Sequence, residues 1–389
     1  MDIQGKVPRD RGDEILDTGK HDQTGGEKSQ DSREAKKGKM TNRQVVVTSV
    51  SVAFGVMIAL LALLLPHWYG NWATGTSLPT PCLAASSTSL PVYGGNIYII
   101  GGAYDNNADF RAHDVAIYNI AGNSYSVGAD YPAVGIAGSA QVVFGAKIYT
   151  FGGVRQKTED YTNWLRIYDI ASNSWSNGTD APWTAEGMFA VLDTTTNLIW
   201  VGGGCGMPVG VHDEWYTYDP ATDAWTQKTD LPTPRGNGVI AYYNGAIYIS
   251  AGGGGLVDPG STLLDTTWRY NINTDTWTTS LDTLPTKVVL PAFALHQASG
   301  RIYLFGGRTS ATHTYTNEVQ VYDIAADSWL TAGGDRKFLE VPADYGFAQG
   351  AFVGSTFYMF GGWDGMTALT ALYEDDVNVV TYESRERTS

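Results

Sequence analysis

The sequence predicts an all-β fold: a six-bladed β-propeller preceded by one transmembrane helix and a disordered amino-terminal tail. Three observations predict it. First, a strand-like run ending in paired glycines recurs six times, as Ile97 to Gly102 (IYIIGG), Ile148 to Gly153 (IYTFGG), Ile199 to Gly204 (IWVGGG), Ile247 to Gly253 (IYISAGG, read as carrying an insertion), Ile302 to Gly307 (IYLFGG) and Phe357 to Gly362 (FYMFGG). Their first residues lie 51, 51, 48, 55 and 55 apart, and a period near 50 with four strands per unit is the mark of propeller blades. Second, residues 1–44 are polar, charged and without periodicity, as disordered segments are. Third, Val45 to Leu65 runs for 21 residues without a charge, which as a helix would span about 31 Å and match a bilayer core.

Each repeat carries further landmarks. Downstream of the glycines a second strand ends in Tyr and a polar residue: Tyr118-Asn119, Tyr168-Asp169, Tyr218-Asp219, Tyr270-Asn271, Tyr322-Asp323 and Tyr382-Glu383. An aromatic residue follows seven positions later in the first five: Tyr125, Trp175, Trp225, Trp277 and Trp329. Turn-formers such as Pro220 to Asp223 lie between, suited to a tight hairpin. Hydrophobic strand, double glycine, Tyr-Asp and spaced Trp together resemble the kelch repeat over roughly Trp72 to Glu383. The resemblance implies a propeller but no single activity, since kelch propellers serve as enzymes, adaptors and receptors.

The sixth repeat has only seven residues after Tyr382, while Asn71 to Pro79 mirrors Ala224 to Pro232, with an aromatic residue seven positions before the Pro in both. The domains expected are therefore 1–44 as a cytosolic tail, 45–65 as a signal-anchor helix, 66–71 as a tether, 72–383 as the propeller closed by a strand at 72–79, and 384–389 as a tail. A cleaved signal peptide competes with the anchor, although its apolar region would be shorter and its leader rarely 44 residues long. Arg33, Lys36, Lys37, Lys39 and Arg43 precede the span and Pro66 to Ala85 carries no charge. The positive-inside rule then makes this a single-pass type II membrane protein with the propeller extracellular or lumenal.

Formal charge is −15, divided as +1 over residues 1–44 and −16 over the rest. An acidic domain lacks the basic footprint of a nucleic-acid binder. With strands lettered a to d outward from the channel, the a–b and c–d turns share one face, and the b–c and d–a loops the other. The six-residue tether, about 20 Å at full stretch, directs the first face to the membrane and leaves the long b–c loops facing away. Those loops and their neighbours hold the ligand-binding candidates Arg111, His113, Arg155, Trp183, His212, Arg235, Arg308, His313, Trp363 and Asp364. Trp215 matches Val115, Leu165 and Val319 and reads as core, whereas Trp183 and Trp363 fall outside the repeat pattern.

No catalytic residue, metal or cofactor is assigned. His113, His212 and His313 stand on blades one, three and five, expected to be too far apart around the ring for one ion, and no carboxylate or Cys accompanies them at ligand spacing. Cys82 and Cys205 stand two blades apart and are expected to remain unbridged. The radical copper oxidases resembling galactose oxidase require a Tyr-His dipeptide, which this sequence lacks. A sugar-processing kelch enzyme such as a sialic acid mutarotase resembles the chain at the level of the repeat. Asn177 begins the single glycosylation sequon. The function expected is a membrane-anchored module binding a protein or glycan through the b–c/d–a loops, and the alternative is a sugar-processing kelch enzyme, either a mutarotase-like isomerase or an oxidase like galactose oxidase.

Overall fold

The computed structural model describes residues 72–104, 112–132, 135–155, 160–206, 210–253, 262–310, 314–330, 341–364, 369 and 372–376. The chain separates into two units, Met1–Leu65 and Pro66–Ser389, and every described residue belongs to the second.

Five blades are each built from one continuous stretch as a four-stranded antiparallel sheet. Blade one comprises Val92–Tyr93, Asn96–Ile100, Val115–Asn119 and Ser124–Val127; blade two comprises Ala140–Phe144, Lys147–Phe151, Leu165–Asp169 and Ser174–Asn177. Blade three comprises Phe189–Asp193, Leu198–Gly202, Trp215–Asp219 and Ala224–Gln227. Blade four comprises Val239–Tyr243, Ala246–Ser250, Thr267–Asn271 and Thr276–Thr278, and blade five Ala292–His296, Arg301–Phe305, Val319–Asp323 and Ser328–Leu330. A closing sheet takes Gln349–Val353, Thr356–Phe360 and Leu372–Asp376 from one part of the chain and Ala73–Thr74 from another.

This corrects the expected fold. Five blades are complete within one stretch of chain, in place of six like units, and the closing sheet's outer strand is only two residues long, with Ala73 opposite Glu374 and Thr74 opposite Tyr373. Among the described residues the predicted transmembrane helix has no counterpart: they contain no α-helix, and no helix among them is long and apolar enough to cross a membrane. The apolar runs here are strands of at most five residues, hydrogen-bonded to neighbouring strands. Val45 to Leu65, the tail 1–44 and the segment 384–389 lie outside the described residues. The Ile247 repeat also needs no insertion. Ala246–Ser250 aligns with Asn96–Ile100, so Ala251 occupies the first glycine position and adopts that glycine's left-handed conformation (φ 59°, against 70° at Gly101).

The paired glycines are required by close approach. A Cβ on Gly361 would lie 2.0 Å from the Cys82 carbonyl oxygen, and one on Gly101 would lie 2.3 Å from that of Ile136. Strand b is buried along nearly all its length because blades stack on both of its faces. The repeat Tyr of each strand c packs against strand b of the preceding sheet: Tyr118 on Tyr358, Tyr168 on Tyr98, Tyr218 on Tyr149, Tyr270 on Trp200 and Tyr322 on Tyr248, with centroids 5.1–6.3 Å apart. Such ring pairs add about 0.5–1.5 kcal/mol each beyond burial.

A second device fastens each blade to the one before. Five residues after the repeat Tyr stands an Asn or Asp in the left-handed conformation: Asn123, Asn173, Asp223, Asp275 and Asp327. Its side-chain oxygen accepts the hydroxyl of its own Tyr and a backbone N–H from strand d, or just beyond it, of the preceding sheet. Trp175, Trp225 and Trp277 add indole N–H bonds to the Ala129, Thr179 and Thr229 carbonyls across the same seams.

Around the channel runs a closed girdle of backbone hydrogen bonds. Ala84 N–H donates to Phe347 C=O, Phe347 to Leu290, Leu290 to Asn237, Asn237 to Gly187, Gly187 to Gly138, and Gly138 back to Ala84, at 2.7–3.1 Å. All six residues have φ between 51° and 64°. Beyond the girdle the channel is obstructed. Residues 86–90 cross it, with Ser87 N–H on Ser139 C=O, Ser87 Oγ on Met188 C=O, Thr88 Oγ1 on Gln141 C=O and Leu90 N–H on Gly350 C=O. This excursion leaves blade one a two-residue strand a where the other sheets have five.

Candidate loop-face site

The segment after each pair of glycines turns back to bridge the d–a segment entering the same sheet. The bridges are Leu83 with Ala103, Ile136–Ala137 with Val154–Arg155, Glu186 with Cys205, Gly236 with Gly253, Val289 with Arg308, and Gly346 with Trp363. They form a rigid collar on the b–c/d–a face, from which the longer loops project.

The collar holds several predicted contact residues within the fold. Trp183 is buried, stacks on Tyr216 with centroids 5.4 Å apart and donates its indole N–H to Gly203 C=O at 3.0 Å. Arg235 is fully buried, with its guanidinium 3.4 Å from the centre of the Trp268 ring and bonded to the Ala251 and Thr266 carbonyls and the Thr266 hydroxyl. Burial pulls its pKa down to about 9, against the attraction of Asp265. Arg308 is buried at the collar, where its backbone bonds Val289 in both directions, and burial lowers its pKa against the influence of Tyr315. His212 is buried, with Nδ1 2.9 Å from Glu214 Oε2. Trp363 is half-buried against Leu83, Ala84 and Ala103, and Asp364 beside it is exposed. Arg111 and His313 lie outside the described residues.

Exposed groups converge over blades one and two. Tyr131 N–H bonds His113 C=O at 2.7 Å, tying the d–a loop to the b–c loop. This brings Asp130 Oδ2 within 3.3 Å of His113 Nδ1, while Asp114 Oδ1 lies 3.5 Å from the same nitrogen. Tyr104 donates its hydroxyl to the other Asp114 oxygen at 2.8 Å, and burial, then the hydrogen bond to Asp114, pushes the Tyr104 pKa upward. One ligand atom from each of His113, Asp114 and Asp130 lies within 4.8 Å of the others, a set with Asp114 half-buried and the other two exposed that could hold a cation. Asp114 adjoins His113 in the sequence, but Asp130, sixteen residues further on, reaches it only through the fold. Arg155, ion-paired with Asp160, stands 5.3 Å from the Trp164 ring centre. Arg166, paired with Asp180 at 3.2 Å, stands 4.7 Å from the same ring. Tyr131, next to Asp130, and Trp164 pack in one apolar cluster, so the two groups adjoin.

Trp164 was missed, and one signal marks it. The residue before strand c is Asp114, Glu214, Thr266 or Glu318 in the other blades, so an aromatic residue there is out of pattern. The cysteines are both buried and free. Burial, then the nearby Asp114 charge, pushes the Cys82 thiol up to about 12; burial, then Glu186, raises that of Cys205. Both are poor nucleophiles.

Comparison with known proteins agrees with this architecture. The family model of the Attractin/LZTR1 β-propeller matches residues 97–372. The chain belongs to this kelch-type propeller family. Among solved structures it is similar to the structure of YjhT, with a TM-score of 0.62 at 13% identity over 76% of this chain and 95% of that one. At that identity the likeness of the two propellers is one of fold alone. No curated protein matches the chain.

Proposed function

We propose that this kelch-type propeller is an interaction module that takes a protein or glycan ligand on its b–c/d–a face, at the cluster formed by blades one and two. The observation carrying the reading is half-buried Trp164, with the Arg155 and Arg166 guanidinium groups 5.3 and 4.7 Å from its ring centre, beside exposed His113 and Asp130 and half-buried Asp114. The arginine and carboxylate groups can orient polar groups of a ligand, and the aromatic ring adds apolar contact. Rim charges of this kind govern encounter rate and partner choice more than raw affinity. Of the earlier candidates, His113, Arg155, Trp363 and Asp364 keep accessible surface, whereas Trp183, His212, Arg235 and Arg308 would act by fixing the collar. Arg111 and His313 belong to the proposal by their place in the loops.

An extracellular or lumenal location is part of the proposal, and exposed Asn177 in strand d of blade two supplies the readout. Glycan on Asn177 after expression with microsomes supports that location; an unglycosylated chain whose propeller is digested by added protease contradicts it. The binding reading is tested by screening the protein on arrays of glycans and secreted protein domains, with Trp164→Ala and Arg155→Ala in parallel. At least a tenfold loss of affinity for the strongest ligand in Trp164→Ala is expected, and unchanged binding in both variants overturns the site.

A further inference from the structure

We propose that His113, Asp114 and Asp130 form a divalent-metal site of the class that takes Zn²⁺. The spacing of the donors carries the assignment. Asp114 Oδ1 and Asp130 Oδ2 lie 3.5 and 3.3 Å from His113 Nδ1. A charge-assisted hydrogen bond draws such atoms to about 2.7–2.9 Å, as between His212 Nδ1 and Glu214 Oε2 on blade three, 2.9 Å apart. Tetrahedral donors about 2.0–2.2 Å from a Zn²⁺ ion stand about 3.3–3.6 Å from one another. The two contacts of His113 therefore have the span of a coordination edge. The whole set lies within 4.8 Å, and rotation of the exposed Asp130 carboxylate can close the remaining edge.

The donor types select the ion. One imidazole and two carboxylates make a mixed nitrogen and oxygen set suited to Zn²⁺, whereas Ca²⁺ calls for about six to eight oxygens and Mg²⁺ for a largely hydrated octahedron. The surroundings hold the donors in place. The Tyr104 hydroxyl occupies Asp114 Oδ2 at 2.8 Å, leaving Oδ1 beside the imidazole, and such outer hydrogen bonds fix metal-binding carboxylates. Tyr131 N–H on His113 C=O at 2.7 Å keeps the Asp130 loop against the histidine. In the adjoining group, Arg155 and Arg166 are paired with Asp160 and Asp180, so the charge of Asp114 and Asp130 remains to attract a cation. Three protein donors leave a fourth position for water or a ligand atom. Metal binding itself stands apart from the loop-face ligand, and only the use of that fourth position rests on the proposed binding function.

Isothermal titration calorimetry of the full chain, stripped of metal and titrated at pH 7.5 with the chloride of Zn²⁺, Ca²⁺ or Mg²⁺ alone, tests the assignment. A micromolar Zn²⁺ site is expected, with Ca²⁺ and Mg²⁺ binding at least tenfold more weakly. His113→Ala and Asp130→Asn, both at exposed side chains, should each weaken that site at least tenfold. Co²⁺ in place of Zn²⁺ should give the visible absorption of tetrahedral coordination, and His113→Ala should abolish it. Trp164→Ala should bind Zn²⁺ as the parent protein does while losing the strongest array ligand, so the two proposals fail separately. Absence of a Zn²⁺ site, equal binding of Ca²⁺ or Mg²⁺, or unchanged Zn²⁺ binding in both His113→Ala and Asp130→Asn would each overturn the proposal.

Discussion

Asn123 accepts the backbone N–H of Thr76 at 2.8 Å across 47 residues of sequence, and Thr76 Oγ returns a bond to Asn123 C=O at 2.8 Å. The segment that follows Ala73–Thr74 is thereby fastened to blade one by the device that joins the other blades. The seam closes because the closing sheet's outer strand comes from the start of the described chain. Thr76→Ala and Asn123→Ala should each lower stability, by about 1 kcal/mol for a neutral hydrogen bond. The two substitutions remove different bonds, since Thr76→Ala keeps its N–H and Asn123→Ala keeps its C=O, so in the double variant the losses should add to within about 0.5 kcal/mol. Chemical denaturation of the four proteins measures this; an unchanged stability in either single variant would contradict the fastening.

The same device is charged at Asp223 and Asp275. Asp223 accepts from Tyr218 and Thr179, and Asp275 from Tyr270 and Thr229. Burial opposes their ionisation, but the donated hydrogen bonds outweigh it and hold both pKa values below the ordinary 3.8. A depressed native pKa means that the unfolded chain binds more protons in acid. The associated stability is present above about pH 4 and is lost as pH falls through the native values. Denaturation midpoints should therefore drop between pH 4 and pH 2, and drop less in Asp223→Asn/Asp275→Asn.

The girdle sets a conformational requirement that side-chain size does not predict. Gly187 has φ 64°, and a Cβ there would lie 2.2 Å from Asn237 Oδ1, so Gly187→Ala should destabilise by about 2 kcal/mol or more. Ala84 already holds a left-handed conformation at φ 51°. Ala84→Gly should be neutral or stabilising by up to about 1 kcal/mol, since relief of strain opposes the greater freedom of the unfolded glycine. Thermal melts of the two variants should move in opposite directions or differ by at least that margin.

Arg235 and Arg155 separate a structural arginine from an accessible one. Removing the Arg235 side chain leaves two carbonyls without their donors and empties space against Trp268, so Arg235→Ala should cost about 3 kcal/mol. Arg155→Ala should cost less than about 1 kcal/mol, as expected for a partly exposed ion pair. Denaturant midpoints distinguish the two.

The repeat was legible because propeller packing imposes it: paired glycines where backbones meet, and Tyr and Trp where blades stack. Position Tyr+5 was present in every blade but went unread, since a lone Asn or Asp in a hairpin reads as turn chemistry until the neighbouring strand is seen to need it. The candidate site was less legible. Loop position put Arg235 and Trp183 among the surface candidates, yet the collar folds the start of each b–c loop back against the d–a segment and buries them. Conversely, His113 and Asp130 meet only because Tyr131 bonds the His113 carbonyl, and no sequence spacing announces that contact. The crossing at Ser86 to Leu90 was equally hidden, since a Ser/Thr-rich stretch before a strand looks like an ordinary linker.

Hydrogen exchange of the propeller with and without its strongest array ligand is the most direct measurement of where it binds. The loop-face reading predicts slowed exchange confined to residues around His113, Asp130, Arg155 and Trp164, with the a–b turns unchanged. Slowing at the a–b turns around Thr194 and Asn244, with the blade-one and blade-two loops unaffected, would contradict it and place recognition on the opposite face.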